Sequence, residues 1–278
     1  AALPSRRAVS GARHPPARRT FRRIRIAALL GVLLFTAAWG GWTAWSRHVR
    51  TRWDRPLQVG LVLLARGDEL DPEQWRRGAS VLSSRLAAEM ERWRGPGPAP
   101  FQFTVVGPLR WEGGLPVTPA SGSLLDRVRH AVEVWGASRD VDRLAGGAAG
   151  GFDLRVLFLA DSMGGGPVGF AEGAGALNGE VALVRGSGTG DLSIPLQAIG
   201  HELLHTVGAT DKYDASGHAR VPDGLADPDR DPPYPQSHAE WMVGEIPIGP
   251  GAGRLADSLD DLQVGPATAR EIGWMRSR

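Results

Sequence analysis

The sequence predicts an α/β fold with a twisted, mostly parallel sheet, one antiparallel edge strand, a helix bearing two histidines and a C-terminal helix. Short apolar runs alternate with helical patterns, as expected where helices connect parallel strands. A helical segment near residue 200 places His201 and His205 on one face. An uncharged apolar stretch at 26–45 sets the N-terminal region apart from this domain.

The N-terminal stretch has the length of a membrane span. Its 20 uncharged residues would cover about 30 Å as a helix, the thickness of a bilayer core. Eight arginines precede it and four follow it, which predicts a cytoplasmic N-terminus and a periplasmic or extracellular remainder. We expect an Arg/Pro-rich cytoplasmic tail at 1–23, a single transmembrane helix at 24–46, a linker at 47–56 and a catalytic domain at 57–278. A cleaved signal peptide is the alternative.

Charge is distributed unevenly along the chain. Residues 1–55 hold 12 of the 32 basic residues and one of the 30 acidic residues, so the remainder carries 20 basic and 29 acidic side chains. This acidic excess would repel phosphate backbones, and no nucleic-acid motif accompanies it. We therefore expect no nucleic-acid partner. The chain has no Cys, which excludes disulfides and thiolate metal sites.

The elements after residue 56 follow from local patterns. Asp71 and Pro72 supply an N-cap and a first-turn proline for a helix to about residue 93, which Gly95 ends. A second helix is predicted at 124–135, and a final one from Gly265-Pro266 to residue 274. The glycine-rich stretch 164–179 is interpreted as a surface loop. Runs of strand length and composition lie at 57–64, 101–106, 152–159 and 180–185.

The motif His201-Glu202-Leu203-Leu204-His205 carries the chemistry. Two imidazoles one helical turn apart can bind one Zn²⁺ and leave positions for a third ligand and a water. The intervening Glu202 can act as general base on that water without binding the metal. An apolar stripe alongside the histidines supports the helix; it comprises Leu192, Leu196, Ile199, Leu203 and Val207.

A third ligand is expected after the helix. Gly208 allows a sharp turn at the helix end, and Asp211 can then return to the metal. Three other side chains remain alternatives for this position: Asp214, His218 and His238.

The extended pattern, His201-Glu202-x-x-His205-x-x-Gly208-x-x-Asp211, resembles the metzincin clan of zinc peptidases, and most closely the snapalysin and immune inhibitor A groups. The resemblance implies a zincin-like fold, one catalytic Zn²⁺, His201, His205 and Asp211 as ligands, and Glu202 as base. It implies that Met242 lies in a turn beneath the metal, and that an extended peptide substrate pairs with the sheet edge at 180–185 or near Phe170. Members of the clan often have a Tyr after this turn. Val243 and Gly244 stand there instead, which leaves Tyr213 and Tyr234 as substitutes for holding the oxyanion.

These features predict a membrane-anchored zinc metalloendopeptidase. The alternatives are a zinc amidase acting on a cell-envelope component and a non-catalytic zinc-binding scaffold. Glu202 favours catalysis because a purely structural site does not need it. A Ca²⁺ site is conceivable in the acidic segment after the helix, although no regular Ca²⁺-loop spacing is present and a solvated loop is the alternative. The aspartates of this segment are Asp211, Asp214, Asp223, Asp227, Asp229 and Asp231.

Overall fold

The computed structural model describes residues 17–67, 70–117, 123–160, 172–175 and 180–275. The chain divides into two compact units, residues 1–45 and 46–278. The helices are α1 (Ala17–Arg50), α2 (Pro72–Arg94), α3 (Leu124–Leu144), α4 (Ser193–Thr206) and α5 (Pro266–Glu271). The strands are β1 (Leu57–Ala65), β2 (Phe101–Arg110), β3 (Leu154–Ala160), β4 (Glu172–Gly175), β5 (Val181–Gly186), β6 (Ala239–Glu240), β7 (Glu245–Gly249), β8 (Ala252–Leu255) and β9 (Leu262–Gln263).

The first helix, α1, is 34 residues long and covers the predicted span at 24–46 together with the start of the predicted linker. Within the described ranges, no helix has both the length and the apolar character needed to cross a membrane. The prediction of a single transmembrane helix is therefore not supported.

The central sheet has five strands in the order β2-β1-β3-β5-β4. β1 pairs in parallel with β2 and β3, and β3 pairs in parallel with β5. Only β4 is antiparallel, and it forms one edge. The predicted sheet, mostly parallel with one antiparallel edge strand, is thus confirmed.

The first crossover shows why local sequence predicts these elements. Asp71 caps α2 by accepting a hydrogen bond from the Glu73 amide at 2.9 Å, and Pro72 occupies the first turn. At the other end, Gly95 has a φ of +83° and donates its amide to the Glu91 carbonyl at 2.8 Å. Both ends of the predicted helix are therefore confirmed to within one residue.

Three elements differ from the sequence-based predictions. α3 continues through Gly136 to Leu144 instead of ending near residue 135, because Val141 packs in the core beneath its second half. The glycine-rich stretch interpreted as a loop contains β4. α5 ends at Glu271, ahead of the predicted residue 274, and Gly273 follows with a φ of +75°.

The sheet is covered on both faces, as its apolar strands require. The larger core cluster packs α2 and α4 on one face, with Trp75, Phe158 and Trp241 fully buried in it. The smaller cluster on the other face includes Val141 from α3 and Trp111. α4 packs against β5 and β4, so the helix lies at the antiparallel edge of the sheet.

The C-terminal region forms two small sheets, with β6 parallel to β9 and β7 antiparallel to β8. A buried carboxylate ties this region to α2. Glu89 forms ion pairs with Arg85 at 2.7 Å and Arg92 at 2.6 Å, and it accepts the Val264 amide at 2.8 Å. Since β9 pairs with β6, this contact helps to fix the turn that follows Glu240.

Candidate metal centre

α4 presents an apolar face to the core and the two histidines to the site. Every residue of the predicted stripe is buried, with 6% or less of its surface exposed. Asp191 begins the helix by accepting hydrogen bonds from the amide and hydroxyl of Ser193 at 2.9 and 2.7 Å. The histidines are thereby fixed on a rigid element.

The end of α4 turns the chain back toward the histidines. Gly208 has a φ of +106° and donates its amide to the His205 carbonyl at 3.0 Å. Ala209 donates its amide to the Leu204 carbonyl, also at 3.0 Å. This pair of bonds is a Schellman motif, which ends a helix on a left-handed glycine. Three residues later, Asp211 faces the helix it has just left.

His201, His205 and Asp211 form a group that could hold a metal ion. The Nε2 atoms of the two histidines lie 3.1 Å apart, and each is 3.2 Å from Oδ1 of Asp211. Zinc bonds of about 2.0–2.1 Å in a tetrahedral arrangement separate neighbouring ligand atoms by roughly 3.3 Å. The three atoms therefore have the spacing of three corners of a zinc tetrahedron.

The tautomers of both histidines favour a cation at this point. Nδ1 of His205 lies 2.8 Å from the Ala209 carbonyl, and Nδ1 of His201 lies 3.3 Å from the Trp241 carbonyl. A carbonyl only accepts hydrogen bonds, so each ring carries its proton on Nδ1 and directs the Nε2 lone pair into the triangle. Two nitrogen lone pairs and a carboxylate oxygen repel one another at this distance unless a cation lies between them.

The electrostatics of the side chains agree with this arrangement. Burial acts to raise the pKa of Asp211, but its contacts with His201 and His205 prevail and hold that pKa far below its usual range. Burial acts to lower the pKa of His205, yet the Asp211 carboxylate and the Ala209 carbonyl stabilise the charged ring more strongly and give a net raised pKa. The cluster thus stabilises positive charge at its centre.

A tight turn containing Met242 supports the site. The amides of Val243 and Gly244 donate to the Glu240 carbonyl at 2.9 and 3.0 Å, and Gly244 has a φ of +80°. Met242 is fully buried. The carbonyl of Trp241, inside this turn, receives the Nδ1 proton of His201. The turn therefore orients one of the candidate ligands.

Two further polar side chains reach the triangle. Glu202 is buried, and its charge interacts with both His205 and Tyr213. Tyr213, one of the two tyrosines proposed as substitutes, lies close enough to Asp211 and Glu202 to interact with both charges. Burial, followed by the negative charges of Asp211 and Glu202, raises the pKa of Tyr213 to about 12. Its hydroxyl therefore stays protonated and can act as a hydrogen-bond donor.

The alternative ligands lie in other contacts. The Asp214 carboxylate accepts amides of its own turn, from Ser216 at 2.8 Å and His218 at 3.2 Å. The His218 ring is 3.1 Å from the Glu245 carboxylate. His238 lines a separate cavity of about 240 Å³ together with Asp227 and Arg230. Among the described residues, only the His201–His205–Asp211 group has metal-binding geometry, and the aspartates considered for Ca²⁺ form no second group.

Sequence patterns did not reveal two contributors to this geometry. Gly200 precedes the first histidine, and a Cβ there would lie 2.6 Å from the Trp241 ring. Its missing side chain lets the Met242 turn approach α4 closely. The sequence also gives no sign of the Ala209 carbonyl that accepts the His205 proton, because a residue of any type has a backbone carbonyl.

Comparisons with known proteins assign no family. No protein-family model matches the chain, and no curated protein matches it. A solved chain described as "Structure of a chaperone-substrate complex" is similar with a TM-score of 0.36 and 11% identity, over 80% of this chain and 35% of that one. The chain thus spans about a third of that protein, and the similarity is too low to indicate a shared fold or function.

Proposed function

We propose that this protein is a zinc-dependent endopeptidase whose metal is held by His201, His205 and Asp211. The observation that carries the proposal is the triangle of acceptor atoms with edges of 3.1–3.2 Å, in which both imidazoles direct Nε2 inward. Two neutral imidazoles and one carboxylate suit Zn²⁺, and three protein ligands leave the fourth position for catalysis. A structural zinc site would use a fourth protein ligand.

The chain's own side chains take distinct roles in hydrolysis. Zinc, when bound, supplies Lewis-acid chemistry that acidifies a water molecule and polarises the scissile carbonyl. Glu202 accepts the proton of the attacking water and later delivers a proton to the departing amine. The Tyr213 hydroxyl donates a hydrogen bond to the carbonyl oxygen as negative charge develops there. The side chain of Glu202 is buried next to His205, which suits a base acting beside the metal.

The edge of the sheet supports a peptide as substrate. β5 is paired on both sides, with β3 and with β4, so the prediction that residues 180–185 form the edge is wrong. β4 forms that edge, and α4 packs against it. Phe170, the other predicted edge position, lies outside the described residues. An extended peptide can add a strand to β4 through main-chain hydrogen bonds, which would place it beside the metal ligands.

The experiment that tests this function separates metal binding from turnover. Glu202→Gln keeps the size of the side chain but removes the base, so zinc should remain bound at one ion per chain while peptide hydrolysis is lost. His205→Ala removes a ligand and should lose both. Zinc content is measured by elemental analysis, and cleavage by digestion of a peptide library with a chelator control.

His218→Ala is the matched control, since His218 contacts Glu245 outside the triangle. It should retain both zinc and activity. Full hydrolysis by Glu202→Gln would contradict the proposed mechanism. Zinc bound by the unsubstituted chain without cleavage of any peptide would contradict the peptidase function and leave the amidase and the non-catalytic scaffold as the alternatives.

A further inference from the structure

The segment that carries Asp211 is held by an ion pair between a buried lysine and a half-buried glutamate outside the metal triangle. Lys212 is 2% exposed, and its Nζ lies 2.7 Å from Oε2 of Glu271, the last residue of α5. The same Nζ donates to the carbonyl and hydroxyl oxygens of Thr210, at 2.7 and 2.6 Å. All three protons of the buried ammonium thus have acceptors, as a buried charge requires.

Glu271 completes a ring of contacts around the third ligand. Its carboxylate accepts the Thr210 amide and the Thr210 hydroxyl, both at 2.9 Å. Glu271 therefore contacts both neighbours of Asp211. It binds the amide and hydroxyl of Thr210, which precedes Asp211, and the ammonium of Lys212, which follows it. The Asp211 side chain takes no part in these bonds and is left to face the two histidines.

Backbone contacts fix the other side of the same segment. The Lys212 amide donates to the Met242 carbonyl at 3.2 Å, and the Lys212 carbonyl accepts the Arg220 amide at 2.7 Å. The Arg220 guanidinium also donates to the Asp211 carbonyl. The segment 210–212 is thereby attached to the Met242 turn and to the loop around Arg220. The ion pair between Lys212 and Glu271 attaches the same segment to α5.

We propose that Lys212 and Glu271 are positioning residues that hold Asp211 in place for the metal ion before it binds. This inference rests on the proposed zinc site. In other metal sites, removal of a partner that orients a ligand reduces metal affinity by about 10- to 100-fold. Neither side chain belongs to the metal triangle, so the effect of the pair falls on zinc affinity first and on turnover only through it.

The test uses the full chain and two variants of the clamp, which is the group formed by Thr210, Lys212 and Glu271. Lys212→Met removes the ammonium and should weaken zinc binding by about 10- to 100-fold. Thr210→Val keeps the shape of an exposed residue and removes only its hydroxyl bonds, so a loss of about 3- to 10-fold is expected. Zinc affinity is measured by competition with a chromophoric chelator and scaled to the folded fraction. The visible spectrum of the Co²⁺-substituted protein reports ligand geometry independently of activity.

Asp142→Asn serves as the control. Asp142 joins α3 to β3 through Arg155 at 2.8 Å, an ion pair that makes no contact with residues 210–212. The control should lower stability without changing zinc affinity or the Co²⁺ spectrum. If Lys212→Met fails to fold, Thr210→Val carries the test.

The outcomes separate this proposal from the function on which it rests. Unchanged zinc affinity in the folded clamp variants would overturn the positioning role, and so would an equal loss in Asp142→Asn. If the unsubstituted chain binds zinc but cleaves no peptide, the peptidase function fails while the affinity comparison still decides the role of the clamp. A chain that binds no zinc would refute both.

Discussion

Tyr213 can serve in place of the tyrosine that is missing after Met242, because its hydroxyl is also a hydrogen-bond donor. The positions after Met242 hold Val243 and Gly244, which lack a hydroxyl. Tyr213, two residues after Asp211, instead brings a phenol near the triangle, where the charges of Asp211 and Glu202 act on it. Its raised pKa keeps the proton that a donor to an oxyanion needs.

We expect Tyr213→Phe to lower kcat by about 100-fold, because one donor to the developing oxyanion is lost. KM and zinc affinity should change little, since the phenol is not a ligand. Steady-state kinetics with a cleaved library peptide and zinc titration provide the measurements. Tyr234→Phe is the control for loss of a tyrosine hydroxyl. A large loss of zinc affinity with unchanged kcat would instead assign Tyr213 to the support of Asp211.

For individual residues, the sequence predicts the candidate metal ligands better than the groups that hold these ligands in place. The spacing of His201, Glu202 and His205 follows from helical periodicity, and Asp211 follows from the turn that Gly208 allows. The carbonyls of Trp241 and Ala209 leave no sequence signal, because every residue has a carbonyl. Lys212 and Glu271 are 59 positions apart, and nothing local relates one to the other.

Among the elements, the end of α4 requires a positive φ at one glycine. Gly208 has a φ of +106°, and the two hydrogen bonds of the Schellman motif depend on that conformation. A side chain at a left-handed position is strained against its own backbone. The direction in which the chain leaves α4, and hence the placement of Asp211, depends on this residue.

Gly208→Ala should therefore destabilise the protein by about 1–2 kcal/mol and weaken zinc binding as well. Gly190→Ala is a suitable comparison, because Gly190 also has a positive φ of +78° but precedes α4. Denaturant unfolding and zinc competition measure the two effects. Equal zinc affinities in the two variants, with equal losses of stability, would show that the helix end does not position the ligand.

The accuracy of each predicted helix or strand depends on whether local residues or contacts elsewhere in the fold set its ends. α2 has an N-cap, a first-turn proline and a terminal glycine, and its bounds are confirmed. α3 extends beyond Gly136 because tertiary packing of Val141 outweighs the low helix propensity of glycine. β4 lies in a glycine-rich sequence with no apolar alternation. Its strand conformation comes from antiparallel pairing with β5, which the composition of β4 itself does not indicate.

On the scale of the whole molecule, one buried carboxylate couples stability to pH. Glu240 is fully buried, and it accepts the amides of Met242 at 2.5 Å and Gly265 at 3.2 Å. Burial raises its pKa to about 7, although the hydrogen bonds from the Gly265 and Met242 amides oppose this rise. The folded protein therefore binds a proton that the unfolded chain releases near its ordinary pKa of 4.5.

The sign of the pH dependence follows from this difference. The contribution of protonated Glu240 to stability is complete below about pH 4.5 and is lost as the pH rises through about 7. We expect the free energy of unfolding of the unsubstituted protein to fall by roughly 3 kcal/mol relative to Glu240→Gln between these values. Urea unfolding of both proteins at several pH values, with zinc saturating, measures it. A difference that stays constant with pH would show that Glu240 titrates normally.

The contact between Glu271 and the residues around Asp211 has a consequence for synthesis on the ribosome. The two histidines leave the exit tunnel well before residue 271 is made, because the chain grows from its N-terminus. During that interval α4 can present both imidazoles, but the segment bearing Asp211 lacks its attachment to α5. Under the proposed function, high-affinity capture of zinc would then wait until α5 had left the tunnel and Glu271 could contact Thr210 and Lys212.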